Sequence, residues 1–269
     1  MTDAECVVFL QWALPRLGLR WQGFRKVRRQ VCRRISRRID ELGLRDADAY
    51  RAYLKSSGEE WDVLAGLCRV TISRFWRDRA VFEALRDEVL PKLGQRVAAW
   101  SAGCASGEEP YSLVLAAAEA SVDINVVATD VDPVLLERAR RACYPESSLR
   151  DLPPDLRARA FAGGCLRPEY REPVDFLRHD VRDGAPGGPF DLALCRNLVF
   201  TYFADELGQQ VGRHLARSLR AGGALVVGAH EALPDGLNGL EPWPAARGVY
   251  RYRRQHRARE TKNAEDRRL

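Results

Sequence analysis

The chain has 269 residues, 46 % of them hydrophobic, and a formal net charge of +6. That length holds one large core or two domains, and no apolar run approaches the roughly 18 residues of a membrane-spanning helix, so membrane insertion is not expected. Seven cysteines, scattered and without a Cys-x-x-Cys pair, argue against a disulfide framework or a zinc site and for a reducing cytoplasm. The histidines at 179, 214, 230 and 256 show no metal-ligand spacing, and the acidic start Met1 to Glu5 does not read as a signal peptide.

Residues 1 to 70 read as helices broken at Pro15, around Gly43 and at Gly58. From Phe24 to Leu42 the apolar positions Phe24, Val27, Val31, Ile35, Ile39 and Leu42 recur every three or four residues, one stripe of a single amphipathic helix. Its other face carries Arg25, Lys26, Arg28, Arg29, Arg33, Arg34, Arg37 and Arg38, with no acid before Asp40. Such a face is either a solvated surface or a dock for something acidic, a protein or a nucleic acid. Aromatic residues that would stack on bases are missing from it, so nucleic acid is not expected as a partner.

From Val97 onward strands alternate with helices, which predicts an α/β fold with a mainly parallel sheet. The expected strands are 97–101, 124–129, 174–178, 190–195 and 224–229, and the expected covering helices are 133–142 and 205–220. From about Arg253 the charged end lacks apolar periodicity and reads as a disordered tail.

The segment Ser101 to Ser112 joins the first strand to an apolar helical pattern through small residues, a geometry that lets backbone approach a nucleotide-like ligand. Asp130 ends the next strand roughly 20 residues past the turn, the spacing at which a carboxylate grips ribose hydroxyls. The turn lacks the Gly-x-x-x-x-Gly-Lys of a triphosphate site. Its Glu108 and Glu109 would repel a pyrophosphate but suit a positively charged ligand such as S-adenosyl-L-methionine. A structural alternative is a capping box between Ser106 and Glu109; Pro110 would then sit badly, and it fits better as the first residue of the helix.

Ser101 to Ser112, Thr129-Asp130-Val131-Asp132, Phe190 to Asn197, Thr71 to Asp78 and Gly222 to Gly228 together resemble the CheR family of chemotaxis-receptor glutamate methyltransferases. The resemblance spans residues 25 to 235 or so. It implies a small all-α domain over 1–70 and a Rossmann-like class I methyltransferase domain over 71–252, with a small inserted β-subdomain at about 161–180. The tail would occupy 253–269.

By resemblance, Thr71, Ser73 and Arg77 reach the cofactor from the segment joining the domains; the aromatic pair Phe75-Trp76 itself reads as packing in the interdomain core. Gly103 belongs to the cofactor turn, Glu109 contacts the methionine amino group, and Asp130 contacts the ribose. Asp180 and Val181 flank the adenine, where the family commonly has Asn-Leu, and Asp180 would still accept from the adenine amino group. Arg196 and Asn197 complete the cofactor site. Tyr202, displaced by one extra residue relative to the family, would face the substrate with Arg77 as the catalytic pair. A second departure is Gly228-Ala229-His230-Glu231, where the family favours Gly-His-Ser-Glu.

The implied activity is S-adenosylmethionine-dependent methylation of glutamate side chains on a protein acceptor with an acidic helical surface, a chemoreceptor. The enzyme would be monomeric and would need no metal. Glutamate, with an ordinary pKa near 4.3, is already an ionised nucleophile, so no general base is expected. Two alternatives stay open: a cofactor-binding adaptor that has lost transfer, prompted by Thr71, Asp180 and the Tyr202 region, and a methyltransferase with another acceptor.

Overall fold

The structure, a computed structural model, describes residues 1–244 and 246–253. The disordered tail expected from about Arg253 therefore lies outside the described residues, except for Arg253, whose guanidinium meets Glu241 at 2.7 Å.

The amino-terminal region is helical: α1 (Asp3–Ala13), α2 (Arg28–Glu41), α3 (Ala47–Ser56) and α4 (Glu59–Leu67). Thr2 and Glu5 start α1 with a reciprocal capping box. The expected stripe packs inward, with Val31, Ile35 and Ile39 buried beside Phe9, Leu10, Tyr50 and Leu54. Glu60, also buried, accepts from Arg38 Nε at 3.0 Å and Nη2 at 2.8 Å and from the Tyr50 hydroxyl at 2.8 Å, joining α2, α3 and α4.

The single helix expected from 24 to 42 is two. Trp21–Phe24 makes one turn, and α2 begins only at Arg28. The break lets Gly23 press against the distant Thr201 carbonyl, where an added Cβ would lie 2.3 Å from the oxygen. Apolar periodicity does not report such a contact.

Seven strands form the main sheet: β1 (Arg96–Ala102), β2 (Asp123–Asp130), β3 (Val174–Arg178), β4 (Phe190–Leu194), β5 (Leu219–Val226), β6 (Leu240–Pro242) and β7 (Val249–Tyr252). Their order is β3-β2-β1-β4-β5-β7-β6. The first five are parallel, and β7 runs antiparallel to both neighbours. Helices α5 (Glu108–Glu119), α6 (Pro133–Arg141) and α7 (Asp205–Arg217) cover the faces. Alternate residues of β1 enter opposite cores: Ala99 packs with Leu113 and Val126, and Trp100 with Val211 and Leu225.

Several boundaries differ from expectation. Strand β5 runs from 219 to 226, not 224 to 229, and α7 stops at Arg217. The β-subdomain expected at about 161–180 reduces to a hairpin of Phe161–Ala162 with Cys165–Leu166, and 174–178 belongs to the main sheet.

The cysteine expectation is also corrected. Cys6 bonds Cys32, joining α1 to α2, and Cys143 bonds Cys165, tying the end of α6 to the hairpin. The partners lie 26 and 22 residues apart, so only the tertiary path brings them together. Cys68, Cys104 and Cys195 remain buried thiols.

Candidate active site

The strand order reverses between β1 and β4, whose carboxyl ends are where ligands enter open parallel sheets. A cleft opens there. Gly103, Glu109, Asp130, Asp180, Val181, Arg196 and Asn197 line it from the sheet, and Thr71, Ser73, Arg77 and Tyr202 from above. Every residue expected at the site thus borders one cleft, although their roles within it differ. Leu17, Leu19 and Phe24 form an apolar wall at the mouth.

Backbone geometry shapes its floor. The N–H groups of Gly103 and Cys104 both donate to the Thr129 carbonyl, at 2.8 and 2.9 Å. Gly103 has a φ of +76°, and a Cβ there would lie 2.3 Å from Leu198 Cδ2, so only glycine fits. Asp130 accepts from the N–H of Ala105 and of Asp132, each at 2.9 Å, one on each carboxylate oxygen. An ionised carboxylate offers about four acceptor positions, so capacity remains for a ligand. Burial raises the Asp130 pKa, and the two N–H groups partly oppose the shift.

The adjacent glutamates part company. Glu109 faces the cleft, accepting from Ser101 Oγ at 2.9 Å and Arg196 Nη1 at 3.3 Å. Burial raises its pKa, opposed chiefly by Arg196. Glu108 turns into the core, where it accepts from Ser106 Oγ at 2.8 Å. Neighbouring residues of a helix point about 100° apart, so only one of the two could meet a ligand. The capping box of Ser106 with Glu109 does not form. Helix α5 begins at Glu108, making Pro110 its third residue, where the missing N–H would have had no helical acceptor.

The segment Thr71–Asp78 crosses the cleft on two buried aromatic side chains, Phe75 and Trp76. Trp76 and Asp78 adopt positive φ angles of 55° and 61°, each a cost of about 1–3 kcal/mol that surrounding contacts must hold. Three hydrogen bonds contribute. Trp76 N donates to Ser112 Oγ at 2.9 Å, and Arg196 Nη2 donates to the Arg77 carbonyl at 2.7 Å and to Asp78 at 2.8 Å. The Arg196 side chain is only 2 % exposed and lies over the Phe82 ring. It braces the segment and aims Glu109.

Arg77 itself donates to the Ile72 carbonyl at 2.7 Å. Its charge reaches Glu109 and Tyr202, lowering both pKa values against the larger, raising effect of burial. Tyr202 lies edge-on to Phe24, with ring centroids 5.1 Å apart. Asp180 lines the cleft beside Arg182. Its carboxylate accepts from the backbone and side chain of Arg182, both at 2.9 Å. Burial pushes its pKa up, but the Arg182 bonds and charge outweigh that and leave it lowered. Asp180 thus shares its carboxylate with Arg182 at the cleft wall.

Two contacts at the site escaped the sequence reading. Arg69, at the end of the helical region, reaches Asp132 at 3.7 Å. Glu231 binds the loop after β4; the family motif around it was visible, but its partners were not. Among the described residues no group of His, Cys, Asp or Glu side chains could hold a metal ion.

Comparison with known proteins places these features. Residues 71–247 match the family model "CheR methyltransferase, SAM binding domain", and residues 26–66 match "CheR methyltransferase, all-alpha domain". The chain is 36 % identical over 192 residues to the chemotaxis protein methyltransferase of Listeria monocytogenes, covering 67 % of this chain and 72 % of that protein. It is 32 % identical over 221 residues to the chemotaxis protein methyltransferase of Escherichia coli, covering 76 % of each. Among solved structures, the N-methyltransferase NodS of Bradyrhizobium japonicum overlaps 64 % of this chain and 97 % of that one, at 16 % identity and a TM-score of 0.38.

Proposed function

We propose, because the chain belongs to the CheR methyltransferase family, that it methylates glutamate side chains on the cytoplasmic part of a chemoreceptor. The observation that carries this reading is the meeting of Arg77 and Tyr202 with the Glu109–Asp130 pair in one cleft, walled by apolar residues of the helical region.

The residues present suit S-adenosylmethionine. Asp130 has acceptor positions left for ribose hydroxyls, Glu109 offers a carboxylate to an ammonium, and Gly103 permits close approach. Val181, Asn197, Thr71 and Ser73 would line the remaining surface. Once bound, S-adenosylmethionine supplies an activated methyl group on a sulfonium. Arg77 and Tyr202 would hold the acceptor carboxylate, which needs no base because it is ionised near neutral pH. Leu17, Leu19 and Phe24 would keep water away. Such positioning supplies about 7–11 kcal/mol of a barrier. The product, a neutral ester, changes the charge of the acceptor surface. The adaptor alternative is less well supported, since Arg77, Glu109 and Asp130 are all in place.

Calorimetry with S-adenosylhomocysteine tests the cofactor assignment. Asp130→Ala should weaken binding by roughly 10- to 100-fold, the worth of a hydrogen bond to a charged group. Absence of binding to the folded wild type would overturn the cofactor reading; unchanged affinity in the variant would overturn the ribose role alone.

The basic stretch would receive the acceptor, with one revision. Arg28 pairs with Asp3 at 2.9 Å, Arg34 donates to the Arg69 carbonyl at 2.7 Å, and Arg38 holds Glu60, so these three are structural. Arg25, Lys26, Arg29, Arg33 and Arg37 are exposed. Replacing Arg29, Arg33 and Arg37 by glutamate should raise the Michaelis constant for the acceptor and spare cofactor affinity. The effect should shrink from low salt to 0.15 M, where the Debye length is about 8 Å. Folding should survive, because Val31 and Ile35 stay buried. Unaltered acceptor kinetics at low salt would reduce the face to a solvated surface, and loss of a nucleic-acid affinity shown by the wild type would favour that partner. The cytoplasm is the compartment we propose, from the chain's membership of the CheR methyltransferase family.

A further inference from the structure

Beyond β5 the chain turns at Gly228–Glu231, with Glu231 N donating to the Gly228 carbonyl at 2.9 Å. The Glu231 carboxylate then gathers donors from separate segments. Its Oε2 accepts from the N–H of Asn197 and of Gly228, each at 2.7 Å, and its Oε1 accepts from Thr201 Oγ1 at 2.6 Å. Asn197 is held at a φ of 55°, a left-handed conformation that a residue with a side chain keeps only when its surroundings impose it. Thr201 adjoins Tyr202 in the helical turn Val199–Tyr202.

The same turn is gripped from the opposite side. Arg20 N donates to the Tyr202 carbonyl at 2.8 Å, and the Arg20 guanidinium donates to the carbonyls of Phe200 and Thr201. Asn197 borders the cofactor cleft and also a second cavity, lined by Gly23, Thr201, His230 and Glu231. The stretch Asn197–Tyr202 is thus a thin wall between two openings. Without lateral support a wall of one turn would not hold a phenol in a fixed direction.

We propose that Glu231 is a positioning residue that aims Tyr202 at the acceptor carboxylate through Thr201, an inference resting on the role given to Tyr202 above. Strand β5 supplies a rigid base, Glu231 transmits it to Asn197 and Thr201, and Arg20 closes the clamp from the helical region. The clamp accommodates the extra residue in the Leu198–Phe203 segment by anchoring that segment at both ends. Misplacing a substrate-holding group by about 1 Å can cost about 100-fold in rate.

The test measures transfer to a glutamate-bearing chemoreceptor cytoplasmic fragment, with cofactor affinity followed separately by calorimetry. Glu231→Ala should lower kcat by about 100-fold and lower cofactor affinity far less, since Glu109 is held on α5 and Asp130 on β2. Glu231→Gln should retain most of the transfer: its amide oxygen can accept both N–H groups and its amide nitrogen can donate to Thr201. Thr201→Val leaves the Asn197 and Gly228 bonds intact and should still lower kcat by about tenfold, the worth of one bond to a charged group.

Wild-type rates in Glu231→Ala and Thr201→Val would overturn the proposal, as would parallel losses of transfer and cofactor affinity. If Glu231→Ala does not fold, Thr201→Val against Glu231→Gln decides. A wild type that binds cofactor but never methylates the fragment would remove the acceptor reading instead. Amide exchange at Asn197 then reads the clamp alone: faster in Glu231→Ala but not in Glu231→Gln supports it, and equal rates in all three overturn it.

Discussion

Arg77→Ala should lower methyl transfer by about 10²–10³-fold, the usual effect of removing one preorganised donor from a reacting oxygen, with the melting temperature within a few degrees of wild type. Arg77 is half-buried at the cleft, and its guanidinium meets the nearby Ile72 carbonyl across a short turn. Little of the fold depends on that contact. Arg77→Lys should recover only part of the rate, because a point charge cannot reproduce a planar fork toward a carboxylate. Arg196→Ala is the contrasting control. It strips a buried guanidinium from Asp78 and Glu109, and breaking a buried pair costs about 3–5 kcal/mol, so its main signature is a lower melting temperature. Initial rates with labelled S-adenosylmethionine, beside thermal melts, separate the two arginines. An Arg77→Ala enzyme as active as wild type would make Arg77 an ordinary surface residue.

The two arginines also show what the sequence could and could not convey. Both border the cleft, but Arg77 bonds only a nearby carbonyl whereas Arg196 ties Asp78 and Glu109 together. That difference depends on Asp78 and Phe82 arriving from a separate segment. Local pattern carried a good deal: the stripe Val31, Ile35 and Ile39, the five parallel strands, and the turn that only Gly103 can make. It failed where a residue's role is set by distant neighbours. Glu108 and Glu109 are equivalent as letters, and the start of α5 at Glu108, after the Gly107 cap, decides which one turns inward. The cysteine pairs join elements whose contact no spacing encodes. Strands β6 and β7 are too short to alternate visibly. The bond between Asp180 and Arg182 is local, two residues apart, yet the sequence does not state which way either side chain turns.

Glu109→Gln should weaken cofactor binding by roughly 10- to 100-fold near neutral pH, since a neutral amide replaces the charge offered to an ammonium group. The fold should tolerate the change. The amide oxygen can still accept from Ser101, and Arg196 keeps Asp78. Charge favours the variant as well. Burial raises the Glu109 pKa despite Arg196, Ser101 and Arg77. A carboxyl raised on folding adds stability only below its unfolded pKa and loses that contribution as pH rises through the folded value. Ionised Glu109 carries a burial cost that a neutral glutamine does not, so the substitution should not lower the melting temperature.

The same direction sets a pH signature for binding. As pH falls from 8, wild-type Glu109 takes up a proton earlier than an ordinary glutamate of pKa about 4.3, and the protonated form no longer attracts the ammonium. Asp130, also raised by burial, is present in both proteins, so each weakens in acid. The ratio of their dissociation constants isolates Glu109: it should be largest at high pH and shrink as pH falls, starting above the pH at which an ordinary glutamate is protonated. Calorimetry with S-adenosylhomocysteine at several pH values measures that ratio directly. A ratio constant across the range would mean that the Glu109 charge does not meet the ligand, and that the carboxyl serves only to hold Ser101 and Arg196 in place.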